Sequence, residues 1–390
     1  MAKGKTPARK PRSEPGGGEG DLLAPARAAA PARPEFPTDF STLLGQDRAV
    51  GLLAAAIKSD RVHHAWIFHG PPGIGKLTAA RAFASLLLLP RDKSGRVPAE
   101  FQHLQHLLRV GGHPDVHVVT KELAAMSRET RIRKHKQTNI SKFVLDEFFI
   151  EPLGVARTIS APSVAGKVFI IDEAELLDPV GQNTILKVVE EPPPGAIIIF
   201  VTSDLFRLLP TIRSRCQIVG FAALDDKTMQ QWVNNAGLNV PAAELQWLTT
   251  YAAGSPGSLL TAAQRGLSAW HKRLEPMLAA LERRNGSSPS LGPTLASLVD
   301  ERAAEAVKEN AEASKEAANR LWSKRLLGFL AERTRRALNA SAAAGEPADR
   351  PLAWLELFSA AERQINANVA YATVFENLAA QMATEQVVAA

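Results

Sequence analysis

The run Gly70-Pro71-Pro72-Gly73-Ile74-Gly75-Lys76-Leu77-Thr78 restricts what this chain can fold into more than any other stretch. It follows a short apolar segment, Ala65-Trp66-Ile67-Phe68, and precedes a helical pattern from Ala79 to Leu89. A strand, a glycine-rich turn and a helix in that order make a phosphate cradle. The glycines let several backbone N–H groups face one anion, and the positive end of the helix faces it too. Lys76 would reach the outer phosphates. The next position calls for a Ser or Thr hydroxyl to ligate Mg²⁺, and here it is Leu77, which has no oxygen to offer. Thr78 lies roughly 100° further round the helix and is no simple replacement. The cradle is nearly complete and is interrupted at its metal ligand.

Phosphate chemistry also needs acids at the end of a neighbouring strand. Lys167-Val168-Phe169-Ile170-Ile171 reads as a buried strand and runs into Asp172-Glu173-Ala174-Glu175. Asp172 would hold Mg²⁺ through water, and Glu173 would orient or deprotonate an attacking water. The alternative is a nucleotide fold that keeps its sheet and has lost its chemistry. Leu77 makes that alternative serious, and Glu173 is then a vestigial base position. A further strand from Ala196 to Val201 ends in Thr202-Ser203, and Thr202 joins the candidate nucleotide-binding residues. Between these strands Asp178-Pro179 starts a helix with a capping side chain and a proline in its first turn, and Pro192-Pro193-Pro194 ends it. Val116, Val118 and Val119 mark another strand. Strands alternating with helices predict an α/β fold, a mainly parallel sheet with helices on both faces.

Around this body the pattern is less specific. Phe40 to Asp60 predicts an entering helix with an apolar side, and Phe101 to Val110 a second. His63 and His64 precede the first strand; adjacent strand positions would point to opposite faces, which disfavours a shared metal. Residues 121–142 are strongly polar, with Arg128, Arg131, Arg133, Lys134, Lys136 and Lys142 in a basic run. No aromatic side chain is interleaved there, so an exposed, partly mobile insertion is favoured over a nucleic-acid footprint. From Asp225 onward strand signals vanish, and helices are expected to the end, interrupted near 285–293 and 344–351.

Composition narrows the function classes. Cys216 is the sole cysteine, which rules out an intrachain disulfide and a multi-cysteine zinc site. The net charge is +6, and half of it falls in residues 1–36, where seven basic side chains face four acids. Overall basicity therefore says little about a folded nucleic-acid surface. Those residues are rich in Pro, Gly and Ala and read as a disordered tail. No apolar run is long enough to span a membrane and the N-terminus lacks an apolar signal core, so a cytoplasmic protein is expected.

Further blocks follow in a recognisable order: Phe40 to Gln46 (FSTLLGQ), His64-Ala65, GGHPDV at 111–116, IIDEAELL at 170–177, NTILKVVEEPPP at 183–194, TIRSRCQ at 211–217 and GSPG at 254–257. Together with the glycine-rich turn they resemble the delta-prime branch of the bacterial DNA polymerase III clamp-loader family, which are AAA+ relatives. The resemblance covers residues 38 to about 260. It implies an AAA+ body at 37–221, a helical lid at 222–260 and an all-helical collar at 261–390, after the 1–36 tail. In that family the Ser-Arg-Cys motif supplies an arginine finger across a subunit boundary, and by position this is Arg215. Delta-prime subunits often have an impaired P-loop, which Leu77 fits. The four-cysteine zinc module common in the family is missing from residues 90–113, and Ser258 stands where many AAA+ lids carry a nucleotide-contacting arginine.

The resemblance implies a non-motor subunit of a hetero-oligomer that helps place a sliding clamp on primed DNA. Its partners would be gamma/tau-like and delta-like subunits, with no membrane. No cofactor or metal is required, and any binding of ATP or Mg²⁺ at the chain's own site is expected to be weak. Two other readings stand beside it: an ATP-hydrolysing motor subunit of the gamma/tau type, and an AAA+-fold DNA-binding module.

Overall fold

Four short apolar runs and one polar run assemble the sheet in the computed structural model. The model describes residues 36–384, apart from 60–61, 93–94, 134–138, 239, 265, 283–287, 310–313 and 346–348. The proposed 1–36 tail lies outside the described residues except for Phe36. β1 (Ala65–His69), β2 (Val116–Val119), β3 (Lys167–Ile171), β4 (Ala196–Thr202) and β5 (Gln217–Gly220) are all parallel and lie in the order β2-β3-β4-β1-β5. β5 is the strand the sequence reading missed. It is a four-residue edge whose Gln217, Ile218 and Gly220 are exposed, so it carries no buried apolar run to announce it.

Alternation along the central strands gives the sheet two apolar faces. Ile67, Phe169, Ile171, Ile198 and Phe200 face one core, covered by the helix Pro179–Glu190 and by Val144, Leu145 and Phe149. Trp66, Phe68, Val168, Ile170, Ile197 and Ile199 face the other. There the helix Lys76–Leu88 lies on the sheet through Ala79, Ala80, Phe83, Ala84 and Leu87, beside Ala49 and Leu53 of Asp47–Lys58. Small residues on the inner side of the loop helix let it approach the strands closely. The α/β expectation is met: a parallel sheet between two helical layers.

Capping follows the sequence closely at one helix. Asp178 accepts from the Gly181 N–H, Pro179 occupies the first turn, and the helix ends at Glu190, just before the prolines. Elsewhere the sequence reading needs correction. The entering helix is only Asp47–Lys58, because Gly45 takes φ +67° and Gln46 is tied to Ala222 through both side-chain amide atoms (2.7 and 3.2 Å). The His63 and His64 rings stack at 4.5 Å instead of diverging, since both precede the strand. The described part of 121–142 is folded: Ala124, Ile132 and Ile140 are buried, Arg128 pairs with Glu147 and Glu151, and Lys142 pairs with Asp146. Lys134 and Lys136 lie outside the described residues.

After Phe221 the chain is helical. Asp226–Ala236, Ala242–Ala252 and Pro256–Gln264 are followed by Ser268–Glu282, Leu291–Glu309, Lys315–Ala344, Asp349–Asn366 and Tyr371–Ala383. One apolar core runs through all of them, from Leu224 to Met382, with Trp270 packed edge-on against Trp322. Among the described residues no helix is long and apolar enough to cross a membrane.

Candidate functional site

Ligands of open parallel sheets bind at the carboxyl ends of the strands, and the candidate residues gather there. β1 delivers the glycine-rich turn, β4 delivers Thr202 and Ser203 beside it, and β3 delivers Asp172 one strand further on. They surround a cleft of about 620 Å³. Pro72, Gly73, Ile74, Gly75, Lys76, Leu77, Thr78, Asp172, Glu173 and Thr202 all reach its wall. Gly70 and Pro71 do not line it. Their carbonyls instead accept from the Lys76 ammonium at 2.8 and 2.6 Å. Three glycines have positive φ (Gly70 +146°, Gly73 +75°, Gly75 +97°), and at Gly70 a Cβ would sit 2.2 Å from the Phe221 carbonyl. The turn therefore cannot be built from other residues.

The helical part of the chain closes on this turn. The Ser255 hydroxyl donates to the Pro72 carbonyl at 2.8 Å, and the Gly257 N–H donates to the Gly73 carbonyl at 2.8 Å. A Cβ at Gly257 would lie 2.8 Å from Gly73 Cα, so two backbones meet with nothing between them. This explains the GSPG block: Gly257 permits the approach to Gly73, Gly254 (φ +77°) permits a second one to the Leu224 backbone, and Pro256 opens the helix Pro256–Gln264 over the cleft.

Charge in the cleft is largely answered from within. Lys76 is buried, and burial lowers its affinity for a proton while Glu175 and Asp172 pull it back. Burial pushes the Asp172 carboxyl above its usual range; the Glu173 N–H, which donates to it at 3.0 Å, acts the other way. Glu173 adopts φ +51°, rare for a residue with a side chain, and its carboxylate is ion-paired with Lys121. Glu175 accepts from the Ser203 hydroxyl and, at 3.3 Å, from the Ser203 N–H. The Thr202 hydroxyl is buried and donates to the Asp204 carbonyl at 3.0 Å. Lys121, Glu175 and Ser203 were not singled out in the sequence. Glu175 alone had a signal, its place two residues beyond Glu173.

These groups fit one half of a nucleotide–metal ligand. The turn and Lys76 suit phosphate oxygens. The Mg²⁺ half does not fit, because Leu77 turns a methyl-bearing side chain to the cleft and packs against the sheet core. Among the described residues no three His, Cys, Asp or Glu side chains converge as a metal site.

Arg215 is absent from the cleft wall. β4 is an interior strand, and the chain leaving it crosses to the outer side of β1, where Arg215 precedes edge strand β5. Its guanidinium donates to the Thr211 carbonyl at 3.0 Å and pairs with Glu190 at 2.9 Å. Arg213 ends the helical turn Pro210–Arg213 and diverges from it, lying 5.1 Å from the Phe206 ring centroid. Cys216 packs half-buried against the sheet core, and burial pushes its thiol up to about 12, so it is inert at neutral pH. In the GGHPDV block Asp115 is structural: buried, it accepts from the N–H groups of Thr158 and Ile159 at 2.7 and 2.9 Å.

Comparison with known proteins agrees with this geometry. Residues 45–225 match the family model described as DNA polymerase III, delta subunit. The gamma/tau subunit of DNA polymerase III from Mycobacterium tuberculosis is 31% identical over 194 residues, 50% of this chain and 30% of that one. The delta' subunit from Pseudomonas aeruginosa is 30% identical over 193 residues, 50% of this chain and 53% of that one. The aligned stretch thus spans about half of the delta' relative or less of the gamma/tau relative. Among solved structures, a DNA polymerase III gamma subunit-related protein from Thermotoga maritima overlaps loosely, with 15% identity and a TM-score of 0.39 over 85% of this chain and 98% of that one. With the P-loop cleft and the parallel sheet already in place, residues 45–225 are similar to the DNA polymerase III clamp-loader family, in both its delta' and its gamma/tau subunits.

Proposed function

We infer that the chain is a delta'-like, non-motor subunit of a clamp loader, helping to place a sliding clamp on primed DNA. Its neighbours in a hetero-oligomer are gamma/tau-like and delta-like subunits. The α/β body is 37–221, the lid 222–260 and the collar 261–390. The observation that carries this reading is a division of labour within one fold. Leu77 removes the metal ligand from the chain's own cleft, while Arg215 stands outside that cleft at the sheet edge. An arginine that cannot serve its own phosphate site is free to serve a neighbour's. There it stabilises the charge spread over a transferring phosphoryl group.

Arg215→Ala tests this in the complex reconstituted from the full chain and its partner subunits. Fingers supplied in trans are worth on the order of 10³–10⁵ in rate at the site they serve. Only one neighbouring site is served, so total ATPase falls by less. Stimulated ATPase and clamp loading are both expected to drop while assembly persists. Clamp loading at the unmodified rate would make Arg215 structural.

The rival motor reading draws on one feature, that Lys76, Thr78, Asp172 and Glu173 all still line the cleft. It requires a competent Mg²⁺ site, for which Leu77 offers no oxygen.

A further inference from the structure

The segment 204–215 leaves one large apolar side chain in water and holds it rigidly. Phe206 is 81% exposed, the most exposed of the described large hydrophobic residues. A single exposed apolar residue is commonplace and means nothing alone. The backbone beneath this one sets it apart. The Asp204 carboxylate accepts from the Phe206 N–H at 3.0 Å. Buried Gln182 clips the far side, donating to the Arg207 carbonyl at 3.1 Å and accepting from the Leu209 N–H at 2.8 Å. Leu208 and Ile212 are fully buried below. The ring therefore stands on a turn fixed at both ends, with the Arg213 guanidinium covering one of its faces. Arg213 Nε is buried and has no hydrogen-bond partner, so stacking and position, not a full set of bonds, hold it there. Aromatic and arginine side chains dominate interface energies, and a pre-set side chain loses little freedom on binding.

We propose that Phe206, backed by Arg213, is the anchor by which this chain docks against the mouth of the nucleotide pocket of a neighbouring P-loop subunit. The proposal rests on the clamp-loader reading and names the surface that reading needs. Charge selects the occupant. Phe206 is followed in sequence by Arg207 and covered by Arg213, whereas the Asp204 carboxylate is taken up in capping the turn. The pocket wall of this fold holds three acids, Asp172, Glu173 and Glu175, against one base, Lys76, with Lys121 pairing Glu173. A related subunit that keeps those carboxylates presents an acidic rim to this basic edge. An apolar anchor inside a charge-complementary border is the anatomy of a specific interface.

The test uses the full chain titrated against purified gamma/tau-type and delta-type subunits, with assembly followed by analytical ultracentrifugation. Phe206→Ala is expected to weaken assembly by about tenfold or more and to leave the melting temperature of the isolated chain nearly unchanged, because the exposed ring gives up only its stacking on Arg213. Phe206→Trp keeps an aromatic anchor and should assemble nearly as the unmodified chain does. Arg215→Ala, in contrast, should assemble and lower the stimulated ATPase of the complex. Unaltered assembly of Phe206→Ala would overturn the anchor. If the substitution instead abolished self-association of the isolated chain, or its retention on primed DNA, the occupant would be a second copy or nucleic acid, and the proposal would be wrong. If the unmodified chain failed to assemble with those subunits at all, the clamp-loader reading itself would fall.

Discussion

The cleft and the sheet edge belong to the same sheet, yet they treat their polar groups in opposite ways. In the cleft Lys76 is committed to the carbonyls of Gly70 and Pro71, Glu173 to Lys121, Glu175 to Ser203, and the Gly73 carbonyl to Gly257. At the edge Phe206 and Arg207 face water, and Arg215 is held by a half-exposed pair with Glu190. Such a pair is worth between about 0 and 1 kcal/mol, so a phosphate oxygen can take the guanidinium at little cost. A site whose groups bond one another needs no ligand to hold its shape. The exposed edge has only its backbone fixed, by Gln182 and Asp204, which is what the proposed docking surface requires.

The comparison breaks most visibly at the seam between the glycine-rich turn and the helix Pro256–Gln264. Gly257→Ala places a methyl 2.8 Å from Gly73 Cα and 3.0 Å from the Gly73 carbonyl, both backbone atoms. The expected loss is about 1–3 kcal/mol in chemical denaturation. A change of less than about 0.5 kcal/mol would mean that this helix and the turn part freely and that the cleft is not closed upon itself.

A smaller effect sharpens the cleft side. Because burial holds the Asp172 carboxyl above its usual range, the folded chain keeps that proton more tightly than the unfolded chain does. Its charge therefore costs stability as pH rises through the window from the unfolded carboxylate value to the folded one, and the whole cost is present at neutral pH. Asp172→Asn should raise stability at pH 7 by less than about 1 kcal/mol, with the gain vanishing below the ordinary carboxylate range. Thermal melts across pH check this, and destabilisation at pH 7 would show that Asp172 is held as a needed charge.

Much of the body was legible because its signals are local. Four strands are short and mostly apolar, the Asp178-Pro179 cap and the proline stop act within a few residues, and the glycine-rich turn carries its own backbone requirement. What escaped depends on distant partners. β5 is a strand only because β1 lies beside it, and nothing in Gln217-Ile218-Val219-Gly220 demands burial on both faces. The polar 121–142 stretch looks solvated in sequence, yet Ile132 and Ile140 find the core and its arginine finds carboxylates more than a dozen residues away. In the cleft the composition of the wall could be read, but not its internal pairing: Lys121 meets Glu173 across 52 residues, and Ser255 meets Pro72 across 183. Phe206 had no signal at all, because exposure is a property of the folded chain.

The central claim is that this chain offers an arginine and does not use nucleotide itself. Titration calorimetry of the full chain with ATP, with and without Mg²⁺, tests it most directly, with Leu77→Thr as the companion. The account predicts weak binding that Mg²⁺ barely alters, and a gain of Mg²⁺ dependence on placing a hydroxyl at residue 77. Tight, strongly Mg²⁺-dependent binding by the unmodified chain would contradict it and favour a motor subunit.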